Sequence, residues 1–214
     1  MRDRLDRAGL DALADYEILE FLLGLAIRGR DVKPLARALL KAFGGSLGRL
    51  LDAPRADILA VPGAGPAVAD ALLAARTASV AALRDRAART DALSNPRLVA
   101  DYCRTRFAGE PQEVVAALLL DSRNRVMETR VLSRGTVDRA ALFSREVAKA
   151  ALEKAAAAVM VVHNHPSGET EPSAEDRRVT LEVSRALATV GVRFVDHLVV
   201  GREGVFSFRE EGQL

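Results

Sequence analysis

Three side chains that commonly bind metal ions lie close together in the stretch VMVVHNHPSGETEPSAED. His163 and His165 are separated by one residue, and Asp176 follows eleven residues after the second histidine. Two imidazole nitrogens and one carboxylate oxygen form a ligand set that leaves one position of a tetrahedral zinc site open for water. Zinc bound in this way lowers the pKa of its water to about 7. The spacing therefore indicates a hydrolytic metal site.

The pattern around these residues predicts how they are positioned. The apolar run before the histidines predicts a buried strand that ends at residues 166–168, Pro-Ser-Gly. Because side chains alternate along a strand, His163 and His165 are expected on one side and Asn164 on the other. Asp176 falls in the first turn of the next predicted helix, from which its carboxylate can return over the end of the strand.

The same residues also have a purely structural interpretation. Ser173 and Asp176 have the spacing of a capping box, with aspartate in place of the usual glutamate. Backbone carbonyls can satisfy two histidines at the end of a strand, and short motifs often match by chance. The residues alone leave a metal site and a capped helix equally open, and one aspartate can serve both purposes.

The stretch resembles the JAMM (MPN-plus) metalloprotease motif, His-x-His, seven residues, Ser, two residues, Asp. His163, His165, Ser173 and Asp176 match every position of it. The chain resembles the RadC family over nearly its whole length, through the sequence HNHPSG, the later segment VDHLVVG and a helical N-terminal half. This resemblance implies Zn²⁺ held by His163, His165 and Asp176, with Ser173 helping to stabilise an oxyanion.

The resemblance also implies an upstream glutamate as general base, and two residues are candidates. Glu113 opens EVVAALLLD, which resembles the family's Glu-x-x-Gly-x-Leu stretch with Ala116 in place of glycine. Glu146 lies in SREV, which resembles the family's Pro-Arg-Glu-Val segment with Ser144 in place of proline. A glutamate at a helix start has a ready explanation in the helix dipole. Glu113 is preferred, because a charged side chain that opens an apolar strand lacks such an explanation.

The third histidine, His197, lies in the apolar segment FVDHLVV. It is expected to be a strand residue with a hydrogen-bonded partner, and the alternative is a position directly behind the metal ligands; it is not included among the ligands.

The pattern along the chain predicts two domains of α+β class. Residues 1–83, with apolar positions three and four apart, predict a small all-α domain. The polar residues 84–96 predict a linker, in which Asn95-Pro96 indicates a turn. In residues 97–214 strands alternate with helices, which is typical of helices packed on a sheet. Strands are predicted at EVVAALLLD, RVMETRVLS, AAVMVVHNH, VRFVDHLVVG and GVFSF, and helices at SREVAKAALEKAA and SAEDRRVTLEVSRALATV. The resemblance implies that this second domain is a mixed-sheet α/β MPN (JAMM) domain of the cytidine-deaminase-like type.

A glycine turn in the first domain, ILAVPGAGPAVADALLAA, resembles a helix-hairpin-helix. In such a hairpin Gly63 and Gly65 let the backbone approach a phosphate of DNA. RadC proteins commonly carry a lysine where this chain has Val68, and only Arg76 follows within ten residues. Few cations predict weak, salt-sensitive DNA contact. The alternatives are a tight turn in a purely structural helical bundle and a bundle that docks another protein.

Composition excludes several classes of protein. A net charge of +2 is too small to imply a nucleic-acid or membrane partner. The one cysteine, Cys103, excludes an internal disulfide, a cysteine-rich zinc site and a zinc nucleobase deaminase, which needs Pro-Cys-x-x-Cys. No apolar run is long enough to span a bilayer and the N-terminal segment is charged, so a cytoplasmic protein without membrane contact is expected.

Three functions follow as expectations. A zinc hydrolase acting on a peptide or isopeptide substrate is favoured, because the set His163, His165, Ser173 and Asp176 is complete. A DNA-associated repair or recombination accessory protein with a non-catalytic metal is the second, from the resemblance. A metal-dependent nuclease, which would join the two domains in one reaction, is the third.

Overall fold

The computed structural model describes residues 13–135, 140–202 and 204–214. The chain divides into two compact units, Met1–Ser79 and Val80–Leu214, and the boundary falls inside a long helix.

The described part of the first unit consists of helices and turns. Its core includes leucines that are completely buried, among them Leu19 and Leu23, which lie four residues apart on one helix. They recur at helical spacing, which explains why the apolar pattern predicted helices here. The helices are α1 (Asp15–Ala26), α2 (Lys33–Ala42), α3 (Leu47–Asp52), α4 (Arg55–Leu59) and α5 (Pro66–Ala87), the last of which continues into the second unit.

Helix α5 is long and apolar enough, by length and composition, to cross a membrane. This differs from the expectation that no segment reaches that length. One such helix among the described residues is weak evidence for a membrane span. Two of its charged residues are paired inside the first unit: Asp70 with Arg55 at 3.0 Å, and Arg76 with Asp52 at 3.5 Å. These ion pairs tie the first half of α5 to α3 and α4.

The segment predicted as a linker, residues 84–96, is part of the second unit. Helix α5 continues to Ala87, and both Ala87 and Ala92 are fully buried in that unit's core. Small apolar side chains in a mostly polar segment still pack when a neighbouring surface covers them, so composition alone placed the boundary too late in the chain.

A helix that the pattern did not predict follows directly, α6 (Pro96–Phe107). Asn95 and Pro96 predict a turn, but the Asn95 side chain accepts a hydrogen bond from the backbone N–H of Leu98 at 3.2 Å and caps the helix. Proline fits the first helical position, because the N–H that it lacks would have no partner within the helix. A cap followed by proline therefore starts a helix here.

The second unit contains a five-stranded mixed sheet with the order β2-β1-β3-β4-β5. Strands β3 and β4 are parallel and the other neighbours are antiparallel. Every residue of β1 and β3 is buried, as in strands that are covered on both faces. The strands are β1 (Val114–Leu120), β2 (Val126–Arg134), β3 (Ala158–Asn164), β4 (Arg193–Val200) and β5 (Val205–Ser207), which agrees with the five predicted strands.

Helices cover both faces of this sheet. Helix α6 packs on one face through Tyr102, Cys103 and Phe107. Burial raises the pKa of the Cys103 thiol, as expected for an apolar filler. Helices α7 (Ala140–Glu153) and α8 (Ala174–Thr189) cover the other face. Alternate residues of β3 face α7 and α8, and this series ends at His163.

Candidate metal centre

Strand β3, the middle strand of the sheet, places the first histidine near its carboxyl end. His163 lies opposite Val115 of β1 and beside Val199 of β4, and only 2% of its surface is exposed. His165 follows the strand, and its backbone N–H donates to the carbonyl of Val200 at 2.9 Å. The two imidazole rings lie on one side, with centroids 4.8 Å apart. The middle strand of the sheet therefore presents both rings at its carboxyl end.

Two glycines let the loop after His165 turn back over the strands. Gly168 has a φ of +94°, which favours glycine, and its N–H donates to the His165 carbonyl at 2.9 Å. A Cβ at Gly201 would lie 2.4 Å from the Gly168 carbonyl oxygen, so a larger residue does not fit there. This close contact holds the loop that leads to the start of α8.

The N-terminus of α8 delivers the carboxylate. Ser173 is the N-cap, and it forms a capping box with Asp176. One carboxylate oxygen, Oδ2, accepts from the Ser173 N–H at 2.7 Å and from its hydroxyl at 2.6 Å. The other, Oδ1, lies 3.2 Å from Nε2 of His163. Oδ2 also lies 3.5 Å from Nε2 of His165. Asp176 therefore caps the helix and faces both histidines, so both interpretations of this residue apply together.

The structure brings the three predicted ligands together. One donor atom from each of His163, His165 and Asp176 lies within 4.8 Å of the others. Nε2 of His163 and Nε2 of His165 are 3.0 Å apart. Nδ1 of His165 lies 3.1 Å from the carbonyl oxygen of Glu169, which can only accept, so Nδ1 carries the proton and Nε2 of the neutral ring has a lone pair. This donor set fits a metal ion such as zinc.

The electrostatics of Asp176 also suit a ligand. Burial acts to raise the pKa of this carboxyl, but the neighbouring His163, whose ring donates to Oδ1 when it is protonated, and the hydrogen bonds from Ser173 outweigh it. The net result is a pKa well below the ordinary value for aspartate. Asp176 is therefore ionised at neutral pH, which is the form that binds a metal ion.

A cavity of about 250 Å³ opens beside the three ligands. Ser173 and Glu113 line it, and one wall is apolar. Among the described residues its lining contains three carboxylates and no lysine or arginine. Its lining residues are Glu113, Val115, Phe143, His163, His165, Ser173, Glu175, Asp176, Val179 and His197.

Of the two candidate bases, Glu113 lines this cavity and Glu146 does not. The reason is the register of the sheet. Val115 of β1 lies opposite His163 of β3. Glu113, two residues before Val115, therefore lies at the same end of these two strands and on the same face of the sheet. Glu146 lies on helix α7. The geometry therefore favours Glu113 as the residue that reaches the reacting atoms.

The residue between the two histidines supports the segment that carries Glu113. Asn164 points to the opposite side and is 1% exposed. Its Oδ1 accepts from the N–H of Val114 at 2.8 Å. Its Nδ2 donates to the carbonyl of Glu110 at 3.3 Å and to that of Gln112 at 3.2 Å. Asn164 thus holds the backbone on both sides of Glu113.

Replacing Asn164 by alanine should lower the free energy of unfolding by about 1–3 kcal/mol, because the buried N–H of Val114 would lose its partner. Urea denaturation of the two proteins measures this difference. Asn95→Ala is a suitable comparison, since loss of that helix cap typically costs about 1 kcal/mol without affecting the site. An unchanged midpoint for Asn164→Ala would contradict the role assigned to this side chain.

The third histidine lies directly behind the first. His197, on β4, is 2% exposed, and its Nε2 lies 2.8 Å from Nδ1 of His163. Its Nδ1 lies 2.6 Å from the hydroxyl of Thr180 on α8. Burial holds the pKa of His197 well below its ordinary value, so the ring is neutral. His197 is a strand residue with bonded partners, as the sequence indicates.

Thr180 was not predicted from the sequence to be part of the site. It lies four residues after Asp176 on the same helix, and its hydroxyl donates to the Asp176 carbonyl at 2.6 Å. The spacing of four was a signal, since residues i and i+4 share a helix face. Nothing local in the sequence indicated that a histidine from β4 would lie against it.

The glycine turn of the first unit lies between α4 and α5. Gly63 has a φ of +88°, so the turn requires glycine at this position, and Gly65 immediately precedes α5. Val68 is 1% exposed and belongs to the core of this unit. Arg76 is paired with Asp52. Neither residue therefore adds free positive charge at the turn. DNA contact through Gly63 and Gly65 stays a prediction.

Two family models match the chain. One, described as a RadC-like JAB domain, matches residues 93–213, and the other, described as UPF0758 N-terminal, matches residues 1–69. Curated relatives cover both regions. A UPF0758 protein of Shewanella baltica strain OS185 is 44% identical over 211 residues, which is 99% of this chain and 93% of that protein. A UPF0758 protein of Shewanella oneidensis is also 44% identical, with the same coverage.

Proposed function

Because the chain belongs to the RadC family, with a RadC-like JAB domain and a UPF0758 N-terminal domain, we propose that it is a zinc-dependent hydrolase of peptide or isopeptide bonds. The observation that carries this proposal is the convergence of the ligand atoms of His163, His165 and Asp176 beside a cavity that Glu113 also lines. JAB domains are typically metal-dependent, and the donor atoms of His163, His165 and Asp176 suit a metal ion.

The roles of the residues follow from their chemistry. His163 and His165, through Nε2, and Asp176, through its carboxylate, would hold the zinc ion. When bound, zinc polarises a carbonyl group and lowers the pKa of a water molecule to about 7. Glu113 accepts a proton from the attacking water and returns it to the leaving amine, as a general base and then a general acid.

Ser173 lines the cavity and can donate to the carbonyl oxygen as negative charge develops there. In the structure its hydroxyl proton points to Oδ2 of Asp176. Donation to a substrate therefore requires the hydroxyl to rotate, while the backbone N–H of Ser173 continues to hold Asp176. In the cap the Ser173 hydroxyl oxygen accepts from the Asp176 N–H at 3.1 Å, whereas the proposed catalytic role uses the hydroxyl proton.

The charges around the cavity favour an amide over a phosphodiester. Among the described lining residues the carboxylates are Glu113, Asp176 and Glu175, the last paired with Arg178 at 2.5 Å. A phosphodiester brings its own negative charge, and cationic side chains usually offset that charge when phosphate is bound. A neutral amide or isopeptide meets no such repulsion. The apolar wall of Val115, Phe143 and Val179 gives a substrate side chain a surface to pack on.

We expect the zinc-loaded protein to cleave a fluorogenic substrate whose reporter is released from an amide on the ε-amino group of lysine. A chelator should abolish the activity and added Zn²⁺ should restore it. A chromogenic phosphodiester and duplex DNA, assayed with the same preparation, should remain uncleaved. Zinc-dependent cleavage of either phosphodiester without cleavage of the amide would overturn the proposal and support the nuclease alternative.

A further inference from the structure

A continuous series of hydrogen bonds links two of the proposed ligands behind the cavity. It begins at the backbone carbonyl of Asp176, which accepts from the hydroxyl of Thr180 at 2.6 Å. That hydroxyl lies 2.6 Å from Nδ1 of His197, whose Nε2 lies 2.8 Å from Nδ1 of His163. Nε2 of His163 then faces Oδ1 of Asp176 at 3.2 Å, where the series returns to its starting residue.

The carbonyl at the beginning decides the direction of every bond in the series. A carbonyl oxygen only accepts, so the single hydroxyl proton of Thr180 is directed to Asp176. The lone pairs of that hydroxyl then face His197, and Nδ1 of His197 must be the donor. His197 is buried and, among the described residues, bonded to no carboxylate, which disfavours a charged ring. Its Nε2 is therefore an acceptor.

The same reasoning determines which nitrogen of the proposed ligand His163 carries the proton. Because Nε2 of His197 accepts, Nδ1 of His163 must carry the proton of that ring. The lone pair of a neutral His163 then lies on Nε2, the atom that faces Asp176 and His165. With the opposite tautomer, a proton on Nε2 would block metal binding, since imidazole binds metals through an unprotonated nitrogen.

We infer that Thr180 and His197 are positioning residues that hold His163 in the tautomer able to bind a metal ion. The device uses one helix and two strands: α8 supplies Thr180 and Asp176, β4 supplies His197, and β3 supplies His163. The effect on metal affinity rests on the proposed function, because it requires that zinc occupies the site. The tautomers themselves do not depend on zinc.

Replacing Thr180 by valine tests this arrangement, because valine has a similar shape and no hydroxyl. Nδ1 of His197 would lose its acceptor, and the reversed tautomers of His197 and His163 would become accessible. We expect the affinity for Zn²⁺ to fall about 10- to 100-fold, the usual effect of removing a hydrogen-bond partner behind a metal ligand. Competition with a chromophoric chelator, performed on the full chain, measures this affinity without an activity assay.

Two further variants serve as controls. Thr180→Ser restores a hydroxyl and should recover an affinity within about twofold of the wild type. Thr189→Val is the matched control, because Thr189 lies on the same helix and its hydroxyl also donates to a carbonyl four residues earlier, that of Arg185 at 2.9 Å. Thr189 is exposed and has no histidine partner among the described contacts, so this variant should bind Zn²⁺ as the wild type does.

Nitrogen-15 NMR of the metal-free wild type reads the tautomers directly, and the chain has only three histidines to assign. We expect Nδ1–H and an unprotonated Nε2 for both His163 and His197 at mildly alkaline pH. A proton on Nε2 of His163 overturns the inference, whether or not Thr180→Val folds. Equal zinc affinity in Thr180→Val and wild type overturns it too, while the proposed function stands. A wild type that binds no zinc instead overturns the proposed function.

Discussion

Replacing Glu113 by glutamine should reduce turnover of an amide substrate by roughly 100- to 10,000-fold, the usual contribution of a general base. Glutamine has nearly the same shape as glutamate but cannot accept a proton. Zinc content and the unfolding midpoint should stay at wild-type values, because Glu113 is not one of the three ligands and lies, partly exposed, immediately before β1. Steady-state kinetics with zinc analysis on the same preparation checks the prediction.

Glu146→Gln is the matched control for this experiment. Both glutamates precede conspicuous apolar segments, and both resemble family stretches, but only Glu113 lines the cavity. We expect Glu146→Gln to retain a turnover close to that of the wild type. The opposite pattern, with activity lost in Glu146→Gln and kept in Glu113→Gln, would show that the base comes from α7.

Replacing Asp176 by alanine should abolish stable zinc binding and amide hydrolysis together. The variant removes one of three ligands, so its affinity should fall by more than the roughly 10- to 100-fold expected when only a partner behind a ligand is lost. Wild-type protein should gain about 2.7 kcal/mol of stability when free zinc is 100 times its dissociation constant. Thermal unfolding with and without zinc should show this gain in the wild type and not in Asp176→Ala.

Asp176 also caps α8, so the loss of zinc must be separated from the loss of the cap. Ser173→Ala serves this purpose, because it removes the N-cap hydroxyl and leaves all three ligands in place. It should lower the free energy of unfolding by about 1 kcal/mol and retain zinc. If Ser173→Ala lost zinc as completely as Asp176→Ala, helix capping rather than ligation would explain both results.

Much of the site was predictable because its determinants are local. Alternation along one strand places His163 and His165 on the same side, and the capping spacing places Asp176 at the start of α8. The apolar runs likewise predicted all five strands of the sheet. Helix α6 was missed although its signal was local, because Asn95-Pro96 was interpreted only as a turn and not as a cap followed by the first helical residue.

By itself the sequence determined the ligand types, their spacing and the strand and helix on which they lie, since these depend on residues close together in the chain. Only the tertiary structure decided which glutamate lines the cavity and which residues stand behind the ligands. Glu113 is placed by the register of β1 against β3, and His197 contacts a ligand 34 residues away. Pairing register and hydrogen-bond direction arise between distant segments once they pack, so no local pattern encodes them.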